Sequence, residues 1–323
     1  MRGFRASYVG WGVLAVFLLL VPQLLPEIYV HLSTEILIYA LFAVSFNLLF
    51  GYGGLLPFGH AAIFGVGAYV AALIFKHYAA MPLLLTLAVT TLSGAVAAGF
   101  IGFFCVRLKG AYFALLTLAF QMFLFAVALK WRTLTYGDDG MTVPRPDLNL
   151  LVLGKVSMRD IDNVYYLTLV LVTLGIWVCY LFLKTPLGNS VVCVREKDIR
   201  ASFLGYNVFL TRYITFVVAG TLASVAGGLF AFFQEFVATS AMDLNMSITC
   251  VFMAIIGGTG HFFGPVLGAA FYLVFQDWIS SLTKHWWIVM GVLFVLVVLY
   301  LQGGLISLFK MERVKSILRK WRG

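Results

Sequence analysis

The side chains able to do chemistry in this sequence are few and scattered. His31, His60, His77, His261 and His285 stand singly. No H-E-x-x-H run or nucleophile–base pair accompanies them, as a membrane-embedded hydrolase would need. The four cysteines, Cys105, Cys179, Cys193 and Cys250, form no C-x-x-C pair, and three lie inside apolar runs. Metal ligation and disulfide formation are therefore not expected. Within apolar stretches the polar side chains are Asn47, Gln121, Gln234, Glu235, Asn245, Gln276 and Asp277. Such groups are costly in lipid and by default mark a transport route. Asn47, Gln121 and Gln234 are the candidates to line it, whereas Glu235 and Asp277 fall near helix ends that water reaches. The chain has no G-x-x-x-x-G-K-[ST] phosphate-binding loop, so any nucleotide-derived energy has to come from a partner. The expectation is a non-enzymatic chain with no catalytic residues, metal or cofactor.

One polar stretch stands apart: TPLGNSVVCVREKDIRASFLGYNVFLTR, residues 185–212. Thr185 suits the cap of a helix whose first turn holds Pro186. Either Gly205 or Asn207 suits the left-handed end of a second helix. Arg195, Glu196, Lys197, Asp198 and Arg200 cluster between them. A plain amphipathic connector and a docking site for a cytosolic partner share this pattern.

The elements around these residues are dictated by composition. Of 323 residues, 62% are apolar and 11% charged, and the mean hydropathy is +1.00. A soluble domain carries about 25% charged residues, so lipid is the solvent for most of this surface. A spanning helix takes about 20 apolar residues. Candidate spans are 8–25, 34–50, 58–76, 82–106, 111–130, 164–183, 213–233, 244–258, 262–282 and 286–302, giving an all-α polytopic bundle of about 8–10 helices. The stretches 34–50 and 244–258 are short and end in glycines, which reads as broken or re-entrant. The first stretch lacks a small-x-small cleavage site, and so reads as a span. With a cytoplasmic N-terminus, 15 of the 22 Lys and Arg fall inside, as the positive-inside rule requires. The net charge of +9 is thus a topology signal spread over several loops, with no implication of nucleic-acid binding.

This parity makes the whole chain, 1–323, one transmembrane domain with both termini in the cytoplasm. Residues 131–163 form an outer loop and 184–212 an inner one. The tail, 310–323, is basic and amphipathic, suited to lie on anionic lipid inside the cell. Small residues recur at helical spacing in Ala61/Gly65/Ala68/Ala72, Gly260/Gly264/Gly268 and Ala219/Ala223/Gly227, where they allow close helix packing. GHAAIFGVGAY from Gly59 faintly echoes GHFFGPVLGAAFY from Gly260, as an internal repeat would.

Five blocks resemble the LivM-like permeases of branched-chain amino acid ABC importers, in the family's order and spacing. They are NLLFGYGGLLPFGHAAIFGVGAY (47–69), GAYFALLTLAF (110–120), LTYGDDGM (134–141), TPLGNSVVCVREKDIRASFLGYNV (185–208) and IIGGTGHFFGPVLGAA (255–270). The resemblance covers roughly residues 34–305 and implies a permease subunit in a bacterial inner (plasma) membrane. It also implies a second, LivH-like permease subunit, two cytosolic ATP-binding subunits, a periplasmic solute-binding protein and an amino acid substrate. By the same resemblance, 184–212 is the cytoplasmic coupling loop that docks on the ATPase, with Arg195, Glu196, Ala201 and Gly205 at the matching positions. Where the family has Ala-Ala-Glu-Ala ahead of the glycine, this chain has Arg-Ala-Ser-Phe, and Tyr136 replaces a frequent glycine in the outer loop.

A self-sufficient secondary transporter is the first rival reading, and would need buried carboxylates or an ion site at the midplane. A channel would need a ring-forming filter motif. Within the ABC reading, urea, short amides and other amino acids are alternative substrates.

Overall fold

The computed structural model describes residues 18–78, 81–145, 148–150, 154–158, 160–301 and 303–309. The basic tail 310–323 and most of the first expected span lie outside the described residues. Helix α1 (Glu27–Asn47) runs on without a break through a π-helical turn, Leu48–Tyr52. Then come α2 (His60–His77), α3 (Leu83–Cys105), α4 (Ala111–Lys130) and the short α5 (Arg132–Thr135). After the outer loop, α6 (Ile161–Lys184) leads into the short α7 (Pro186–Glu196) and α8 (Asp198–Phe203). Helices α9 (Val208–Gln234), α10 (Leu244–Gly257), α11 (Gly264–Leu282), α12 (Trp286–Tyr300) and α13 (Ile306–Phe309) complete the described chain.

Six of these, α1 with its π-turn, α2, α3, α4, α6 and α9, are long and apolar enough to cross a membrane. The expected break in 34–50 is absent: this helix is 26 residues long including its π-turn. Glycine at its end had suggested a short element, but Gly51 and Gly53 serve the turn that follows. By contrast α10, at 14 residues, spans only about 21 Å, short of the roughly 30 Å hydrocarbon layer. It begins deep in the bundle, because the turn before it, Thr239–Met242, is buried against α2 and α4. The expectation of a short element therefore matches its length.

Helices α1, α2 and α9 form the centre. Every residue from Ile38 to Leu49 is buried, the mark of a helix enclosed on all sides. Helix α9 lies directly on α2: a Cβ at Gly227 would collide with the Phe64 carbonyl, and one at Gly67 with the Ser224 carbonyl. On its other flank, Ser224 Oγ donates to the Thr90 carbonyl of α3 at 2.9 Å. In lipid no hydrophobic force draws helices together, so this backbone proximity supplies the packing. The stripe Ala219/Ala223/Gly227 is thus a helix contact, as is the pair Gly264/Gly268 against the end of α10. Gly260 is not: it sits in the turn before α11, with no atom within 4 Å of a Cβ. Helix α11 packs along α1, and α12 closes on α10 by stacking Phe294 on Phe252 at 4.2 Å.

The loops gather at two opposite ends. At one, Arg195 meets Gly51, Lys109 meets Asp198, and Asn47 meets the carbonyl of His261. At the other, the outer-loop residues pack on the far ends of α2 and α9. Lys76 Nζ stands 3.4 Å from the Tyr136 ring centre. The two-residue strands β1 (Met141–Thr142) and β4 (Phe236–Val237) pair antiparallel. Between them in sequence, β2 (Leu148–Leu150) and β3 (Gly154–Val156) form a separate hairpin. Of the outer loop 131–163, residues 146–147, 151–153 and 159 are outside the description.

A single methyl tests the central contact. Gly227→Ala is expected to lower the melting temperature of the detergent-purified chain by several degrees, the overpacking cost being about 1–3 kcal/mol. Gly260→Ala should leave it unchanged. Equal melting of the two variants would remove the α9–α2 contact from its central place.

Candidate functional site

The segment 184–212 folds as two short helices at the end where Gly51, Lys109 and His261 gather. Thr185 caps α7 by accepting from the Gly188 N–H at 3.1 Å, with Pro186 in the first turn. One face of α7, Gly188, Ser190, Val191 and Val194, is buried. Its last turn carries Arg195, whose guanidinium donates to the Gly51 carbonyl while its stem packs on Gly54. The backbone extends at Lys197 (φ −155°, ψ 106°), which separates α7 from α8.

Helix α8 ends in a Schellman motif. Gly205, at φ +88°, donates from its N–H to the Ser202 carbonyl, and the Tyr206 N–H donates to the Ala201 carbonyl at 3.1 Å. Of the two residues suited to end this helix, Gly205 does so, while Asn207 starts the next by accepting from the Leu210 N–H. The structure therefore brings Ala201 and Gly205 together in one cap, with Ala201 buried. Arg195 and Glu196 are both exposed at the end of α7, and Arg195 reaches back to the Gly51 carbonyl. The outer apolar face of α8 has no cover among the described residues: Ile199 is 71%, Phe203 86% and Leu204 73% exposed.

Sequence reasoning passed over the ion cluster at the root of α8. Asp198 Oδ1 and Oδ2 accept from Arg212 Nη2 at 2.7 and 2.9 Å, and Asp198 also pairs with Lys109. Burial alone would raise the Asp198 carboxyl. The hydrogen bond from Lys109 and the charge of Arg212 outweigh it, holding the group below the usual carboxylate range. The visible signal was an acid at the first position of a helix, which looks the same as a solvated end charge.

Of the pathway candidates, Asn47 lies at the same end as this segment, and Gln121 and Gln234 sit apart from it. Gln121 is fully buried midway along α4, donating to the Met242 carbonyl at 3.0 Å and accepting from Ser247 Oγ at 3.0 Å. Ser247 in turn accepts from the Ala61 N–H. Asn47 is buried at the end of α1, its Nδ2 3.5 Å from the His261 carbonyl and its Oδ1 without a partner. Both turns of the sequence echo thus converge there, since Gly51 also abuts the Thr259 carbonyl. Gln234 is half-buried at the last position of α9.

A family described as branched-chain amino acid transport system / permease component matches residues 28–299. The chain belongs to this family. It is similar to the high-affinity branched-chain amino acid transport system permease protein LivM of Salmonella typhimurium, at 27% identity over 89% of this chain and 72% of that one. Similarity to LivM of Escherichia coli is 26% identity over 86% of this chain and 70% of that one. LivH of Salmonella typhimurium matches at 23% over 85% and 93% respectively. With its long apolar helices, this permease is a multi-pass membrane protein and the transmembrane subunit of an ABC importer.

At Gly205 a substituted side chain meets open space, so only backbone strain, about 1–2 kcal/mol, opposes it. Gly205→Val is expected to lower transport severalfold in the assembled importer at unchanged membrane abundance. Gly205→Asn should be milder, since asparagine tolerates that conformation. Equal rates for both variants would show that the left-handed cap has no part in function.

Proposed function

We propose that this permease imports branched-chain amino acids in the bacterial inner membrane, paired with a LivH-like second subunit and driven by two cytosolic ATP-binding subunits. A periplasmic solute-binding protein delivers the substrate. Support for the substrate comes from the LivM and LivH relatives, which are named for it. Support for the coupling comes from one observation, the exposed apolar face of Ile199, Phe203 and Leu204 on a helix closed by the Gly205 cap. Such a face suits the hydrophobic centre of a protein interface.

In this reading the 184–212 segment is cytoplasmic, and the ends of the chain lie on the same side. Glu196 and the α8 face meet the ATPase. Ala201 and Gly205 hold the shape of the docking helix, and Arg195 ties it to the end of α1. Closure of the ATPase pair moves this segment, and the membrane helices pass from inward-open to outward-open. The chain itself carries out no hydrolysis. Asn47, Gln121 and Gln234 line the route only in a state where the Asn47–His261 and Gln121–Ser247–Met242 contacts have opened. The outer-loop turn at Gly137–Gly140, fixed to the turn before α10 by the Thr239 hydroxyl donating to Asp138 at 3.1 Å, is the surface offered to the binding protein.

The test is uptake of radiolabelled leucine into proteoliposomes. The complete assembly with ATP and binding protein is expected to accumulate it, and the single chain to accumulate none. Accumulation by the single chain under an ion gradient would make it a secondary transporter. For orientation, an impermeant maleimide added to intact cells should label Asp139→Cys and spare Cys193, which is exposed on α7. The opposite labelling would invert the topology.

A further inference from the structure

Helix α8 is fastened to the membrane bundle through one acid. Asp198, its first residue, holds Arg212 at the start of α9 with two contacts of 2.7 and 2.9 Å, and Lys109 in the α3–α4 turn. Three segments meet on this carboxylate, two of them neighbours in sequence and the third, the α3–α4 turn, distant. Ion pairs in open solvent contribute little, but here the Asp198 and Arg212 side chains are only 20% and 11% exposed. The buried Arg212 Nε has no partner. Removing Asp198 would therefore leave the guanidinium shielded and without a counter-charge, the costly case for an ion pair. Asp198 is also the wrong residue for docking: its oxygens are engaged inward, while the apolar face of α8 is turned to solvent.

We propose that Asp198 is the positioning residue that transmits displacement of α8 to α9 and the α3–α4 turn together, converting movement of the docking helix into movement of membrane helices. This deepens the coupling reading of residues 184–212 and depends on it. The depressed carboxyl keeps the joint ionised at neutral pH and loosens it only as pH falls through that lowered value.

The experiment uses the whole importer, with its ATPases and binding protein, in proteoliposomes, and reads substrate imported per ATP hydrolysed. Asp198→Asn is expected to keep the ATPase subunits through purification and to melt within a few degrees of the parent. Its transport ratio should fall about fivefold or more. Asp198→Glu should recover most of that ratio. As the control for docking, Phe203→Asp should lose the ATPase subunits on purification. An unchanged ratio in Asp198→Asn overturns the joint and leaves docking intact. Loss of the ATPases from Asp198→Asn makes the residue a docking contact, and likewise overturns it. Retention of the ATPases with a normal ratio in Phe203→Asp overturns the docking reading instead. If the Asp198→Asn chain itself is not recovered folded from the membrane, Arg212→Lys, which keeps the charge without the planar fork, decides: a lowered ratio supports the joint and a normal one refutes it.

Discussion

Everything in this subunit is arranged around the contact of α9 with α2, backbone against backbone. Gly227 lies on the Phe64 carbonyl and Gly67 on the Ser224 carbonyl, a spacing no larger residue permits. Because lipid tails are as apolar as leucine, helices in a membrane gain little from hydrophobic burial and depend on van der Waals proximity. The close approach also brings Ser224 within reach of Thr90 on α3. From this centre α1 packs on the remaining side and recruits α6 and α11 in turn. The outer surface is left to Leu, Val, Phe and Trp side chains exposed on α3, α4, α6 and α12, where lipid is the solvent.

The order and length of the spanning helices were legible because apolar runs of about 20 residues have no other stable home. Which faces look inward was not. The α1 sequence is nearly uniform in hydrophobicity, so nothing in its pattern distinguished the enclosed stretch Ile38–Leu49 from a lipid-facing one. Glycine was equally ambiguous at the level of the chain. Gly227 is a packing contact, Gly260 sits in open space, Gly51 belongs to a turn, and only the folded backbone tells them apart. The supposed break at 34–50 came from that ambiguity, whereas the short α10 was recognisable from its length alone.

In the segment 184–212, local chemistry was readable and long-range chemistry was not. Thr185, Pro186 and Gly205 act on their own neighbours within a few residues, and capping rules are rules about sequence distance. Asp198, Arg212 and Lys109 act across the fold. In the run from Arg195 to Arg200 each charge looks like its neighbours, and only assembly of α3, α8 and α9 selects one acid as a shared partner. The family positions Arg195 and Glu196 were found by resemblance. The inward hold of Arg195 on Gly51 was not visible in that resemblance, nor in the residues themselves.

Helix α9 is secured at its far end as well. It terminates at Glu235, in the left-handed region at φ +54°. Arg145 from the outer loop donates to the Phe233 carbonyl at 2.6 Å and pairs with Glu235 at 2.9 Å. A cation there meets the negative end of the helix dipole as well as a carboxylate. Over 27 residues the helix spans about 40 Å, with an arginine-centred clamp at each end and tight packing on α2 and α3 between. A rod so held has little freedom to bend, because its middle is packed at backbone distance. If α8 moves the inner end through Asp198, the strands and turn that grip the outer end move with it. In the proposed coupling, the same close packing that gives the subunit its cohesion in lipid would make one helix the mechanical link between its two ends.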